Sequence, residues 1–112
     1  MNKIYFSIAK EFTRKPGLRY RSQSDFSGQE FREDRLLELY DKAVKENAVL
    51  IINLDNTFGY GPSFLEESFG GLARERDPKI VLKHIDFISI EEPYLKDEIK
   101  GYINKVINEL AI

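Results

Sequence analysis

Residues 48–72, AVLIINLDNTFGYGPSFLEESFGGL, decide how the chain is expected to fold. The first seven residues of this stretch are β-branched and almost continuously apolar, which is typical of a central and often parallel strand. Residues 55–62 contain two glycines and a proline and therefore predict a loop. A Ser-Phe-Leu-Glu pattern follows at Ser63 and fits a capping box, so a helix is predicted over 63–75.

Upstream of this stretch, the spacing of apolar residues and the turn and capping signals predict two strands and a helix. Apolar residues alternate over 3–12, which predicts a first strand. A Pro-Gly turn signal follows, and residues 18–21 predict a short return strand that would complete a hairpin. Ser27 and Glu30 form a capping box ahead of apolar residues at helical spacing, so a helix is predicted over 28–46.

Downstream, residues 80–85 predict another strand, and residues 86–92 are ambiguous and could hold one more short strand. Pro93 at a first helical position opens a last helix over 93–110, with apolar residues on one face. The predicted order is β-β-α-β-α-β-α. It indicates a single α/β domain over 1–112, with a mixed or parallel sheet of about four to five strands packed with three main helices.

The composition narrows the classes of partner and site. The chain has 17 basic and 19 acidic residues and a net charge of −2, so no overall field favours nucleic acid or a membrane surface. The absence of cysteine excludes disulfides and thiolate metal sites, and no metal or other cofactor is predicted. The longest purely apolar run, 48–52, is too short to cross a bilayer. We therefore expect a soluble cytoplasmic protein that binds neither nucleic acid nor membrane.

Three segments carry a resemblance to a known family. They are similar to the Gly-x-Arg, Ser-Gly-x-x-Phe-Arg and Ser-Phe-Leu-Glu-Glu-x-Phe-Gly-Gly-Leu segments typical of the STAS-like family of unknown function. That family is related to the STAS domains of bacterial anti-sigma factor antagonists. The segments here are 17–19, 27–32 and 63–72. The resemblance implies a STAS-like fold.

The resemblance also implies a function. In the antagonists, the loop after a central strand delivers a phosphorylatable Ser or Thr to the start of the second helix, and Ser63 aligns with that hydroxyl. Here Gly-Pro-Ser-Phe at 61–64 replaces the Asp-Ser-Ser-Gly or Asp-Thr-Ser-Gly core. The implied protein is a non-enzymatic regulatory module that binds an ATP-binding kinase-like or ATPase regulator. Phosphate on Ser63 would weaken that contact through repulsion and desolvation.

The predicted contact surface surrounds this serine. Tyr60 lies between two glycines on a flexible loop, where no strand or helix pattern explains an aromatic residue, so it is a candidate anchor. If the strands before the first two helices are parallel, both helix starts lie beside their carboxyl ends, the usual place for a site. The surface comprises Asp55, Tyr60, Gly61, Ser63, Phe64 and Glu67. Arg19, Ser27 and Arg32 are further candidate contacts for an anion or partner.

Several alternatives stay open. Ser63 and Ser27 could be N-caps only, each stabilising the fold by about 0.5–2 kcal/mol. The helix that starts at Ser63 could cradle a small anion or nucleotide. A hydrolase would need Ser63 as nucleophile and His84 as base, with an orienting third group that the sequence does not indicate. The basic segment 14–21 could meet an acidic partner, although a solvated hairpin tip is the simpler interpretation.

Overall fold

A computed structural model describes residues 1–111 and contains a parallel sheet of three strands. The strands are β1, Asn2–Ser7; β2, Ala48–Asn53; and β3, Ile85–Ile88. They lie in the order β1-β2-β3, with Ile4 opposite Leu50 and Leu50 opposite Ile85. The prediction that the apolar run from residue 48 forms the central strand is confirmed.

Five helices accompany the sheet in this part of the chain. They are α1, Ile8–Glu11; α2, residues 28–45; α3, residues 62–75; α4, Pro78–His84; and α5, Leu95–Leu110. Helices α2 and α3 each contain one wider π-helical turn, Arg32–Leu36 and Glu66–Gly70. The helices predicted over 28–46, 63–75 and 93–110 are confirmed to within two residues at each end.

The predicted hairpin is wrong. Strand β1 ends at Ser7, whose Oγ accepts a hydrogen bond from the Lys10 N–H (3.2 Å) and so starts α1 where 3–12 was predicted to continue as a strand. Residues 18–21 form no strand. The Leu18 N–H donates to Ser24 Oγ (2.8 Å), and the Leu18 carbonyl accepts from Gly28 N–H (2.9 Å). These backbone groups are satisfied within the loop and by the start of α2.

The strand predicted over 80–85 is also wrong, because this segment is helix α4. The Asp77 side chain accepts a hydrogen bond from the Lys79 N–H (2.9 Å), and Pro78 occupies the first turn. This cap outweighs the β-branched character of the Ile-Val-Leu run. Strand β3 begins at Ile85 and extends into the ambiguous segment. The observed order is β-α-α-β-α-α-β-α, with three strands where about four to five were predicted.

The core lies on one face of the sheet. Phe6, Leu50, Ile52 and Phe87 project from the three strands and are buried in one cluster with residues of α2, α3, α4 and α5. Crossovers between parallel strands are right-handed as a rule, and in the order β1-β2-β3 they put both connections on the same side. The loops that follow the strands therefore gather at the carboxyl edge of the sheet, beside the starts of α2 and α3.

Candidate functional site

The loop after β2 is tied to the loop after β3 at the carboxyl edge. The Leu54 N–H donates to the Ile88 carbonyl (2.8 Å), and the Asp55 carboxylate accepts from the N–H groups of Ile90 (3.1 Å) and Glu91 (3.0 Å). Asp55 is only 8% exposed. Its carboxylate therefore holds two loops together, and its predicted role in an exposed contact surface is wrong.

The loop aromatic singled out in the sequence is half-buried. The Tyr60 hydroxyl donates to the Leu54 carbonyl (2.8 Å), and burial raises the pKa of this phenol above its ordinary range. Its ring packs 5.8 Å from the ring of Phe64, which is fully buried and lies 6.0 Å from Phe31 on the other side. Tyr60 thus packs against the core through its ring and remains only partly exposed to solvent. The placement of Phe64 on a surface is wrong.

Helix α3 starts without a serine cap. Gly61 is the N-cap, Pro62 occupies the first helical position and Ser63 the second, and no side chain bonds the free N–H groups. The predicted capping box is wrong because proline, with its preset φ, fixes the first turn one residue earlier. Glu66 cannot close such a box, since Arg19 and Arg74 each bond its carboxylate at 2.6 Å. Within residues 1–111, the partly exposed Ser63 hydroxyl has no hydrogen-bond partner.

Helix α2 starts with the cap that the sequence predicted. Ser27 is fully buried, and its Oγ accepts a hydrogen bond from the Glu30 N–H (3.0 Å). The Glu30 carboxylate reaches back to the N–H of Phe26 (3.2 Å). Because its hydroxyl is used and enclosed, Ser27 has no access to an anion or a partner.

A cluster of charged side chains joins α2 to α3. The Arg32 guanidinium donates to the Glu67 carboxylate and to the Glu67 carbonyl (2.8 Å), and its Nε donates to Glu75 (3.0 Å). Arg19 donates to Glu66 (2.6 Å) and to Glu67 (3.3 Å), and the bond to Glu66 raises the pKa of this guanidinium. These charges satisfy one another. Glu67 is buried, so its predicted surface role is wrong, and Arg19 and Arg32 are structural cations in this arrangement.

Glycines let the two helices approach each other. A Cβ on Gly28 would lie 2.6 Å from the Phe64 carbonyl oxygen, and a Cβ on Gly71 would lie 2.7 Å from Arg32 Nη1. The Ser68 hydroxyl adds a bond to the Phe64 carbonyl (2.7 Å) within α3. The segments 17–19, 27–32 and 63–72, which are far apart in the sequence, therefore meet in one contact between α2 and α3.

Phe58 is the most exposed aromatic residue of the carboxyl edge, and it is not among the residues of the predicted surface. Phe58 is 72% exposed, and its ring lies 5.4 Å from Arg14 Cζ and 5.6 Å from Lys15 Nζ. Its N–H donates to the Arg14 carbonyl (2.8 Å), and Arg14 Nε donates to the Asn56 carbonyl (3.4 Å). Within residues 1–111, neither cation has a carboxylate partner. The sequence held two signals for this site, a basic segment and a loop aromatic, but gave no reason to join them.

The carboxyl-edge surface is our name for the exposed parts of the loops that contain residues 14–15 and 58–61, together with the start of α3. It comprises Arg14, Lys15, Phe58, Gly61 and Ser63. Gly61 leaves open space where a side chain would stand, so another molecule can approach the backbone there. Two of the residues predicted for the site, Gly61 and Ser63, belong to this surface. Its cations and its most exposed aromatic residue come from outside the predicted set.

The chemistry of a hydrolase is not assembled here. His84 Nδ1 lies 2.7 Å from the carbonyl of Ala48, at the amino end of β2, whereas Ser63 follows the carboxyl end of that strand. A strand of this length spans roughly 20 Å, so the two side chains are far outside hydrogen-bond reach. The described residues also hold no cluster of three acidic or histidine side chains that could bind a metal ion. No helix among them has the length and apolar character needed to cross a bilayer.

Comparison with known proteins agrees with this fold. A family described as a STAS-like domain of unknown function matches residues 27–95, from the cap of α2 to the first residue of α5. No curated protein and no solved structure gives a significant match. The matched region covers more than half of the chain and contains two of the three segments that meet between α2 and α3. The chain belongs to the family of STAS-like domains of unknown function.

Proposed function

We propose that this chain is a non-enzymatic regulatory module that binds a protein partner through its carboxyl-edge surface. The observation that carries the proposal is Phe58, an aromatic residue held in solvent between two cations that lack a carboxylate partner. Aromatic residues are enriched in the buried centres of protein interfaces, and an exposed ring is available as such an anchor.

The surface is organised before any partner arrives. A backbone hydrogen bond from Phe58 to Arg14 fixes the two loops against each other, so little conformational entropy remains to be lost on binding. The exposed ring gives a partner an apolar contact, and Arg14 and Lys15 favour acidic groups around it. The net charge of the whole chain is −2, so this positive character is local and does not extend to a nucleic-acid-binding face.

Ser63 is the residue through which this contact would be regulated. Its hydroxyl is partly exposed and takes no part in capping α3, so the fold does not occupy it. A phosphate there would add nearly two negative charges to the proposed contact surface and so oppose the binding of an acidic partner. The resemblance to anti-sigma factor antagonists supports an ATP-binding kinase-like regulator as the partner that adds this phosphate.

A second candidate function rests on the same helix start. No side chain caps the first N–H groups of α3, and such groups favour anions, so a small anion or nucleotide is the alternative ligand. Calorimetric titration with ATP, ADP and inorganic phosphate separates the two functions. Tight binding of a nucleotide to the isolated chain would favour the alternative.

The test of the proposal uses a partner captured from native cells, identified by mass spectrometry and purified. Phe58→Ala is expected to weaken its binding by roughly tenfold or more, because the substitution removes the central apolar contact. Ile90→Ala is the matched control, since Ile90 is 79% exposed on the neighbouring loop and lies outside the defined surface. Equal binding of the parent chain and Phe58→Ala would overturn the proposal.

The regulatory part is tested separately. Incubation of the chain with the purified partner and ATP, followed by mass spectrometry, is expected to show phosphate on Ser63. The phosphorylated chain is expected to bind more weakly than the parent, whereas Ser63→Ala should bind as the parent does. Phosphate at another residue, or no change in affinity, would reject Ser63 as the switch and leave the docking surface to be judged by Phe58→Ala.

A further inference from the structure

The sheet has a second face, opposite the core. Because register partners in neighbouring strands point to the same side, this face can be identified from the pairing. Tyr5, Ile51 and Asp86 are partners in one row across β1, β2 and β3. Lys3 and Val49 form the row before it on β1 and β2, and the row after it consists of Ser7, Asn53 and Ile88.

Helices do not cover this face. None of the residues named in these rows belongs to the core cluster that joins the helices to the sheet. Tyr5 is 63% exposed, and Val49 and Ile88 are partly exposed. Ile51, at the centre of the face, is buried, with 8% of its surface exposed. Among residues 1–111 the face is therefore a patch that is apolar along its centre and polar at Ser7 and Asn53, with Lys3 on one edge strand and Asp86 on the other.

We propose that this face is a self-association surface that packs against the same face of a second copy. The central row runs from a phenol donor on β1, through an apolar residue on β2, to a carboxylate acceptor on β3. A twofold axis parallel to the strands lays β1 of one copy over β3 of the other. Tyr5 of each copy then lies opposite Asp86 of the other copy, which gives two equivalent hydrogen bonds from phenol to carboxylate. The two Ile51 side chains pack against each other between them.

The charges agree with this arrangement. Asp86 is paired with Lys96 of its own chain (2.9 Å), but its side chain stays 42% exposed and can accept a further hydrogen bond. Lys3 lies on the same face as Tyr5, two residues earlier on β1, so the twofold axis also brings it towards the Asp86–Lys96 pair of the second copy. The row Tyr5–Ile51–Asp86 is thus complementary to itself under this twofold axis.

The area predicts a weak dimer. A face of three short strands measures about 14 by 20 Å, which is small beside the roughly 800 Å² per partner of a standard interface. Analytical ultracentrifugation of the full chain, from micromolar to millimolar concentration, is expected to show a reversible monomer–dimer equilibrium. A chain that stays monomeric over this whole range overturns the proposal.

Tyr5→Asp tests the face and Phe58→Asp is its control. In the first variant two carboxylates oppose each other at both ends of the row, so the dissociation constant is expected to rise about tenfold or more. Phe58→Asp also replaces an exposed aromatic residue by a carboxylate, but on the carboxyl-edge surface. It is expected to leave the dissociation constant of the dimer unchanged. The reverse result, with Phe58→Asp alone dissociating the dimer, would overturn the proposal and place self-association at the other surface.

A charge swap tests the twofold axis itself. Tyr5→Asp combined with Asp86→Lys puts a carboxylate opposite an ammonium group in each copy and is expected to restore most of the lost affinity. Circular dichroism and thermal melts verify that each variant is folded. A folded double variant that dimerises no better than Tyr5→Asp alone would overturn the proposed pairing of β1 with β3.

Discussion

The starts of α2 and α3 carry the same Ser-x-x-Glu pattern and are built in different ways. At α2, Ser27 is buried and its hydroxyl caps the helix, while Glu30 completes the box. At α3, Pro62 takes the first position, and the Ser63 hydroxyl stays outside the hydrogen-bond network of the described residues.

The two helix starts differ because the residues around each serine determine whether its hydroxyl caps the helix. At α3, the proline before the serine shifts the helix start by one residue. Arg19 and Arg74 bind the Glu66 carboxylate, which a capping box would need for the backbone. The fold thus uses one of the two hydroxyls and leaves the other accessible. Only the accessible one is available for modification, which is why the proposed regulation rests on Ser63.

The largest expected effect concerns the charged junction between the two helix starts. Arg32→Ala removes the main partner of the buried Glu67 carboxylate and is expected to lower the free energy of unfolding by about 3–5 kcal/mol. Arg21→Ala is the matched control, since Arg21 pairs with Glu33 and Asp34 in solvent and such exposed pairs contribute little to stability. Denaturant unfolding measures both. Equal losses for the two variants would show that the junction does not depend on burial.

A pair of glycines gives the next effect. Gly28→Ala places a Cβ 2.6 Å from the backbone of Phe64, so overpacking is expected to destabilise the fold by about 1–3 kcal/mol. Gly61→Ala meets nothing within 4 Å and is expected to change the free energy of unfolding by less than about 0.5 kcal/mol. Thermal melts of the two variants compare the closed and the open helix start directly. A stable Gly28→Ala protein would contradict the close approach of α2 to α3.

The smallest effect separates the two serines. Ser27→Ala is expected to lower the free energy of unfolding by about 0.5–2 kcal/mol through the lost cap. Ser63→Ala is expected to change it by less than about 0.5 kcal/mol, because its hydroxyl has no hydrogen-bond partner among residues 1–111. Chemical denaturation resolves this difference. A loss at Ser63 as large as that at Ser27 would restore the capping role that the sequence predicts and the structure does not show.

The long, strongly patterned elements were predictable from the sequence. The apolar run of β2 and the helical spacing in α2, α3 and α5 are each long enough for periodicity to settle the type of element. The short elements were not. In α4, three β-branched or apolar residues in a row favour a strand, whereas the Asp77-Pro78 pair before them starts a helix.

The candidate site was predictable only in its location. The carboxyl edge follows from the order of elements, but the exposure of single side chains depends on contacts between distant segments. Phe64 was predicted at the surface because it lies beside the loop, but its side chain is fully buried among the residues of the core. Phe58 is exposed because its loop packs against residues 14–15, and no local pattern encodes that contact.

The all-parallel pairing of the strands also bears on how the chain reaches this fold. Asn2 pairs with Ala48 and Leu50 with Ile85, so each pairing closes a loop that contains at least one whole helix. The entropy of closing these loops is lost before any strand contact compensates for it. No hairpin is available to nucleate the sheet, because the segment after β1 turns into α1. The sheet therefore forms only through contacts between residues that lie far apart in the sequence, and a low rate of folding is the expected consequence.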